Sequence, residues 1–324
     1  MASAALHWAP VTCEARDEPN RAGALANLKT NEMQESEQPP ESSPVAWRCG
    51  RFAYAPRRVL VMGILNLTPD SFSDGGRYPR PHDAIAAAHG MIDDGADILD
   101  LGAESTRPGA TPPSEAEELD RLLPVLEGLR GAPVALSVDT RRAAVMRAVL
   151  AAGADLINDI EALGAPGAYE AVAGSSCGVC LMHMRGSPLT MQQAPAYREV
   201  VGEVAGFLQS RLDQARAHGI ADERIVLDPG IGFGKDLGHN LALLHSLDRI
   251  TALGRPVLVG ASRKSMLGAL TGRAVVDRMA GSIAVALAAA SRGARILRVH
   301  DVRETVDALR VWNAIEAGKA AQPD

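Results

Sequence analysis

From Trp47 onwards the chain alternates between two rhythms. Short unbroken apolar runs such as Val59–Leu65 (VLVMGIL) give way to longer stretches in which apolar residues recur every three or four positions. The first rhythm predicts buried strands and the second amphipathic helices. The junctions repeat as well. Asp94-Gly95-Ala96-Asp97-Ile98-Leu99, Ala152-Gly153-Ala154-Asp155-Leu156-Ile157 and Arg292-Gly293-Ala294-Arg295-Ile296-Leu297 share a Gly-Ala-x-apolar-apolar core. Each follows a helical pattern, so each glycine is placed to end a helix in the left-handed region before a strand begins. Gly131-Ala132-Pro133-Val134 and Gly254-Arg255-Pro256-Val257 do the same with proline opening the strand. With Gly178–His183 and Arg224–Asp228, eight strands are expected, starting near residues 59, 97, 134, 155, 178, 225, 256 and 295, and the last helix starts at Val302. This α/β alternation fits a (β/α)8 TIM barrel in a single domain, with an open doubly wound sheet as the alternative.

Residues 1–45 lack any such period and are rich in Glu, Gln, Ser and Pro. A segment of that composition cannot offset its ordering entropy by burial, so a disordered N-terminal tail is expected before a barrel domain at 46–320. Composition narrows the rest. The 324 residues are 47% apolar, enough for a large core. No apolar run approaches the roughly 20 residues that span a bilayer, and no secretory signal opens the chain. Four cysteines suit a reducing compartment. A net charge of −6 without a basic block, and 3% aromatics, speak against nucleic acid. A cytoplasmic protein with neither nucleic-acid nor membrane partners is expected.

In a barrel of this kind the reactive groups stand at the C-terminal ends of the strands. Here every expected strand ends in polar residues: Asn66; Asp100 and Glu104 to Gly109; Asp139; Asn158-Asp159; His183 and Arg185; Asp228; Ser262-Arg263-Lys264; Arg298 and His300. Any one such exit is ordinary loop chemistry, but eight in register point to one cavity. Asp139, Asn158 and Asp228 can match the edge of a flat heterocycle, because an ionised carboxylate accepts two side-by-side hydrogen bonds from an amino–imino pair. Lys264, Arg298, His300 and Arg107 bring positive charge for a phosphate or an acid. The residues alone thus describe an enzyme handling a nitrogen heterocycle together with a phosphorylated or carboxylated group.

The segments MGILNLTPDSFSDGG (62–76), DLGAESTRPGA (100–110), SVDT (137–140), NDI (158–160), LMHM (181–184), LDPGIGFGK (227–235), SRKS (262–265) and RVHDV (298–302) resemble the dihydropteroate synthase family, in the family's order. Leu67, where many members carry Val, is a conservative departure. The resemblance implies a Mg²⁺-assisted enzyme of folate biosynthesis. Such an enzyme joins 6-hydroxymethyl-7,8-dihydropterin diphosphate to p-aminobenzoate, forming 7,8-dihydropteroate and releasing diphosphate. It implies pterin binding by Asp139, Asn158, Met182, Asp228, Gly232, Phe233 and Lys264. Diphosphate would fall to Asn66, Arg298 and His300, with Asn66 also on the metal. Thr106, Arg107, Pro108, Phe233, Ser262 and Lys264 would surround p-aminobenzoate. Asp139, Asp228, Lys264, Arg298 and Asn66 would carry the catalysis, by an S_N1-like route. A homodimer and sensitivity to sulfonamides are further expectations of the family. A pterin-binding methyltransferase domain and a catalytically silent paralogue are the alternatives; SRKS, RVHDV and the two polar loops favour the synthase.

Other signals are set aside. Gly230–Lys235 (GIGFGK) lacks the first glycine of a phosphate loop and has Asp236 where Ser or Thr should stand. A turn bringing backbone close to the pterin is the better reading. Cys177 and Cys180 enter a strand on opposite faces, which suits buried thiols and not shared zinc. His82, His89, His218, His239 and His245 are expected at the surface, and the Gly281–Ala290 helix at a close-packed core or interface. The stretch Leu65–Gly76 (LNLTPDSFSDGG) carries turn chemistry at both ends. It is expected to be a lid, with Asn66 at its base and Asp70 and Phe72 helping to order it over the substrates.

Overall fold

A computed structural model describes residues 46–55, 58–68, 80–104 and 112–318. Residues 1–45, expected as a disordered tail, Asp70 and Phe72, expected in a lid, and Thr106, Arg107 and Pro108 lie outside the described residues. A hairpin comes first, β1 (Trp47–Cys49) and β2 (Phe52–Tyr54), followed by β3 (Leu60–Asn66), α1 (Pro81–Asp93), β4 (Ile98–Gly102) and α2 (Glu115–Gly128). Next are β5 (Ala135–Asp139), α3 (Ala143–Ala151), β6 (Leu156–Asp159), α4 (Ala168–Ala173), β7 (Gly178–Met182), α5 (Val200–Ala217) and β8 (Ile225–Asp228). The chain ends with α6 (Leu237–His245), the single turn α7 (Asp248–Thr251), β9 (Leu258–Val259), α8 (Ser265–Thr271), α9 (Met279–Ser291), β10 (Ile296–Val299) and α10 (Val302–Ala317).

Strands β3 to β10 pair in parallel in the order β8-β7-β6-β5-β4-β3-β10-β9, and a parallel bridge from Leu227 to Val257 joins the two ends. The ring excludes the open doubly wound sheet. The junction glycines do what their place demands: Gly95, Gly153 and Gly293 have φ of +97°, +104° and +98°, where any Cβ would be strained. No helix among the described residues is long and apolar enough to cross a membrane.

Alternation along each strand splits the apolar residues into two cores. One face, including Val61, Leu99, Leu136, Ile157, Val179, Leu227 and Leu297, packs against the helices. The other, Leu60, Met62, Ile98, Ala135, Leu156, Cys180, Val226, Leu258 and Ile296, fills the lower barrel. Cys177 and Cys180 are both buried, one in each core, as the strand register requires.

The N-terminal hairpin closes the lower end of the barrel. Trp47 and Cys49 join the interior core, and the Trp47 indole donates to the Arg224 carbonyl at 3.4 Å. Gly50 N–H donates to the Ser176 carbonyl at 3.2 Å, and Arg51 makes two side-chain hydrogen bonds to the buried Asp155, at 3.0 and 2.8 Å. Gly178 makes the fit possible, since a Cβ there would lie 3.3 Å from the Trp47 ring and 3.4 Å from Cys49 Cα. The hydrophobic pattern did not reveal this hairpin: each strand has three residues, too few to display a period.

Candidate active site

At the upper end the inward positions switch from apolar to polar within one step of each strand. Above Ile98 stands Asp100, above Leu156 Asn158, above Val226 Asp228 and above Ile296 Arg298. Asp100 is fully buried and accepts from Ser137 Oγ at 2.5 Å, Asn158 Nδ2 at 3.1 Å and Arg298 Nε at 2.6 Å. The second arm of Arg298 donates to Asp139 at 3.1 Å. Two glycines keep the centre open. A Cβ at Gly102 would stand in ordinary contact with Asn66 Oδ1 and Asp139 Cβ, both at 3.8 Å, and one at Gly260 would touch the Arg298 stem at 3.6 Å, so any longer side chain would enter the space among these groups.

Asn66, Asp139, Asn158, Asp228 and Arg298 thus come together at one mouth, with Met182 in register beside Asp228. Ser262 and His300 meet across the β9 and β10 exits, with Ser262 Oγ 3.0 Å from His300 Nδ1. Lys264 donates to the Ile231 carbonyl, and its Nζ stands 4.3 Å from the centre of the Phe233 ring. A Cβ on Gly232 would collide with the Lys264 stem at 2.9 Å, and Gly232 has φ of +82°, so this close approach requires glycine.

The electrostatics follow from burying several charges together. Burial raises the Asp139 carboxyl well above the ordinary range; Arg298 opposes that and Asp100 adds to it. Burial also raises Asp228, against the pull of the Gly230 N–H, 2.7 Å away, and of Lys264. Lys264 is pushed down by burial to about 8, although Asp228 draws it up. For Arg298 burial disfavours the charge, but Asp100 and Asp139 outweigh it and hold the guanidinium firmly ionised. Carboxylates poised in this way suit a ligand edge bearing two N–H donors, which stabilises their ionised form.

Several exits point elsewhere. Asp159 accepts from the Glu161 and Leu163 N–H groups, both at 2.8 Å, and shapes its own turn. Arg185 stacks on Tyr197 and pairs with Glu203 at 3.1 Å, and Arg263 pairs with Asp301. His183 is buried against Phe207 and Lys235. Of the histidines expected at the surface, His82, His89, His218 and His245 are exposed. His239 is half-buried instead, because it closes a capping box with Asp236 at the start of α6. Asp100 was expected at a strand exit but without a role, and Lys235 only as part of the Gly230–Lys235 turn. For Asp100 the strand parity that puts Ile98 inside was the available signal, but its partner Arg298 lies 198 residues away.

The family model for pterin binding enzymes matches residues 62–300. The chain belongs to that family. It is 51% identical over 276 residues to the dihydropteroate synthase of Neisseria meningitidis serogroup B, covering 83% of this chain and 97% of that one. A Xanthomonas albilineans dihydropteroate synthase structure with 4-aminobenzoic acid superposes with a TM-score of 0.80 at 49% identity, covering 85% of this chain and 99% of that chain. A Burkholderia cenocepacia dihydropteroate synthase structure complexed with 7,8-dihydropteroate gives 0.78 at 51% identity, covering 85% and 98%.

Proposed function

We propose that the upper mouth of the barrel is a dihydropteroate synthase site. It condenses 6-hydroxymethyl-7,8-dihydropterin diphosphate with p-aminobenzoate to give 7,8-dihydropteroate and diphosphate, in the folate pathway of the cytoplasm. The observation that carries this reading is the junction of an Asp139–Asn158–Asp228 edge, its last two members buried, with the cations Arg298 and Lys264 at one mouth. A pterin needs the first and its diphosphate the second. A methyltransferase domain would use the pterin edge without the cations.

Asp139, Asn158 and Asp228 are assigned to the pterin edge, with Met182, Gly232 and Phe233 as walls and Lys264 beside them. Arg298, fixed from behind by Asp100, meets the leaving diphosphate with His300 and Asn66. Ser262 and Lys264 lie on the p-aminobenzoate side, where Phe233 and residues 106–108 are also assigned. As the C–O bond breaks, positive charge develops on the exocyclic carbon and spreads into the ring. Asp139 and Asp228 favour that charge, and Arg298 favours the departing anion. The amine then attacks from the opposite face. A small secondary deuterium isotope effect on the reacting methylene would exclude this S_N1-like order.

No group of three or more His, Cys, Asp or Glu able to hold a metal occurs among the described residues. The amide of Asn66, near Asp139 across Gly102, is the kind of single oxygen ligand that suits Mg²⁺ borne mainly by phosphate and water. Asn66 would hold the ion, which supplies charge neutralisation to the diphosphate. Sulfonamides would compete with p-aminobenzoate, and the barrel domain, 46–320, would act as a homodimer. Diphosphate release that requires both substrates and Mg²⁺ is the deciding assay, repeated on a chain starting at Ala46. No release from folded protein would leave the methyltransferase or silent-paralogue readings.

A further inference from the structure

Lys235 carries a charge that the reaction above does not employ. It is 2% exposed, and its Nζ lies 2.9 Å from His183 Nδ1, 2.9 Å from the carbonyls of Gly230 and Phe233, and 3.2 Å from that of His183. An ammonium has three protons and no lone pair, so His183 Nδ1 accepts and its own proton sits on Nε2. Burial and the adjacent ammonium hold that imidazole neutral by pushing it down to about 3. Every acceptor belongs either to the Gly230–Gly234 turn or to the chain leaving β7. The turn is folded hard against that chain: a Cβ on Gly230 would strike the His183 carbonyl, and one on Gly234 the Arg185 carbonyl. From the other side, Gln192 donates to the Gly232 carbonyl at 2.6 Å and Tyr197 to the Gly234 carbonyl at 2.9 Å.

We propose that Lys235 is a positioning residue, whose buried ammonium ties the Gly230–Gly234 turn to the β7 exit and so sets where Gly232 and Phe233 stand in the substrate pocket. The inference rests on assigning Gly232 and Phe233 to that pocket. The ammonium already shares three protons among four acceptors; a neutral amine has only two to give, so deprotonation leaves a further acceptor without a proton and loosens the turn. Burial brings the ammonium down to about 7; Asp228 opposes this, and Lys264 and Arg185 add to it. The titratable and charged groups around it are Asp228 from β8, His183 and Arg185 after β7, Lys264 after β9, and Glu203 on α5, paired with Arg185. The neighbouring Asp236 is committed to capping α6.

Lys235→Met keeps an unbranched side chain one atom shorter and removes every donor. With folding checked by its melting curve, KM for the pterin diphosphate is expected to rise about 10-fold at pH 7 while kcat moves less than about 3-fold. The wild-type alkaline limb near pH 7 in kcat/KM should vanish with it. Unchanged KM, an equal fall in kcat, or an unaltered pH profile would overturn the proposal. If the variant does not fold, NMR titration of the Lys235 side chain in the wild-type protein decides. A midpoint near 7 that moves on adding pterin diphosphate supports the role, and an ordinary lysine midpoint indifferent to it overturns the role. Absence of wild-type turnover would sink the reaction assignment instead, and the titration judges the turn independently of turnover.

Discussion

The two ends of the barrel are built on the same strands and obey opposite rules. At the lower end the inward residues are apolar, and the ion pairs Arg51–Asp155 and Arg58–Asp97 are at the rim, each with its arginine half or more out in water. At the upper end three carboxylates and two cations crowd the interior, with Asp100 fully buried. The lower end gains free energy from burial, whereas the upper end spends part of it to hold charges where a ligand will need them. A substitution should therefore harm folding at one end and chemistry at the other.

Trp47→Ala tests the lower end and carries the largest expected effect. Removing a buried indole should cost about 3–5 kcal/mol of stability, seen as a large fall in melting temperature. The kcat/KM of the molecules still folded should stay within about 2-fold. Loss of turnover without loss of stability would erase the distinction between the ends. Lys264→Ala is the complement. Turnover should drop about 10²-fold, with the melting temperature held or raised, because a charge that burial disfavours has gone. Near-normal kcat/KM would remove Lys264 from the site.

A smaller effect sharpens the contrast within one side chain. Lys264 has a folded pKa of about 8, below the ordinary lysine value. Its ammonium is present below that pH and lost above it, so kcat/KM should fall as pH rises through 8. Stability runs the other way. Between about 8 and the ordinary lysine value near 10.4 the unfolded chain binds more protons than the folded one, so this group's contribution to stability grows with pH. Parallel loss of activity and of its contribution to stability in Lys264 wild-type minus Lys264→Ala difference curves would contradict that sign.

Much of this was legible before the structure. The glycine junctions located the strands to within two residues, as at 97 against Ile98 and 256 against Leu258, because a left-handed glycine leaves a local mark. Polar strand exits located the mouth. What stayed hidden depends on contacts far apart in the chain. Asp159 and His183 sit one step beyond Asn158 and Met182 and so point away from the cavity, a difference of face that an exit list blurs. Asp100 acquires its role only when β10 returns beside β3, and Lys235 only when its turn folds back onto β7. The hairpin has no local pattern at all; its partners are the bare backbone at Gly178, where the Trp47 ring packs close, and a carbonyl at Arg224.

That hairpin also orders events in time. Trp47 is made early on the ribosome, yet the carbonyl it bonds to belongs to Arg224, 177 residues later. Its seat among β6, β7 and β8 does not exist until those strands have emerged and paired. The hairpin must therefore wait in solution after its synthesis, exposing an indole, and dock among the last. Contacts of such long range slow folding. A nascent chain arrested before Arg224 should leave Trp47 fluorescence water-like, and release beyond it should turn that signal on.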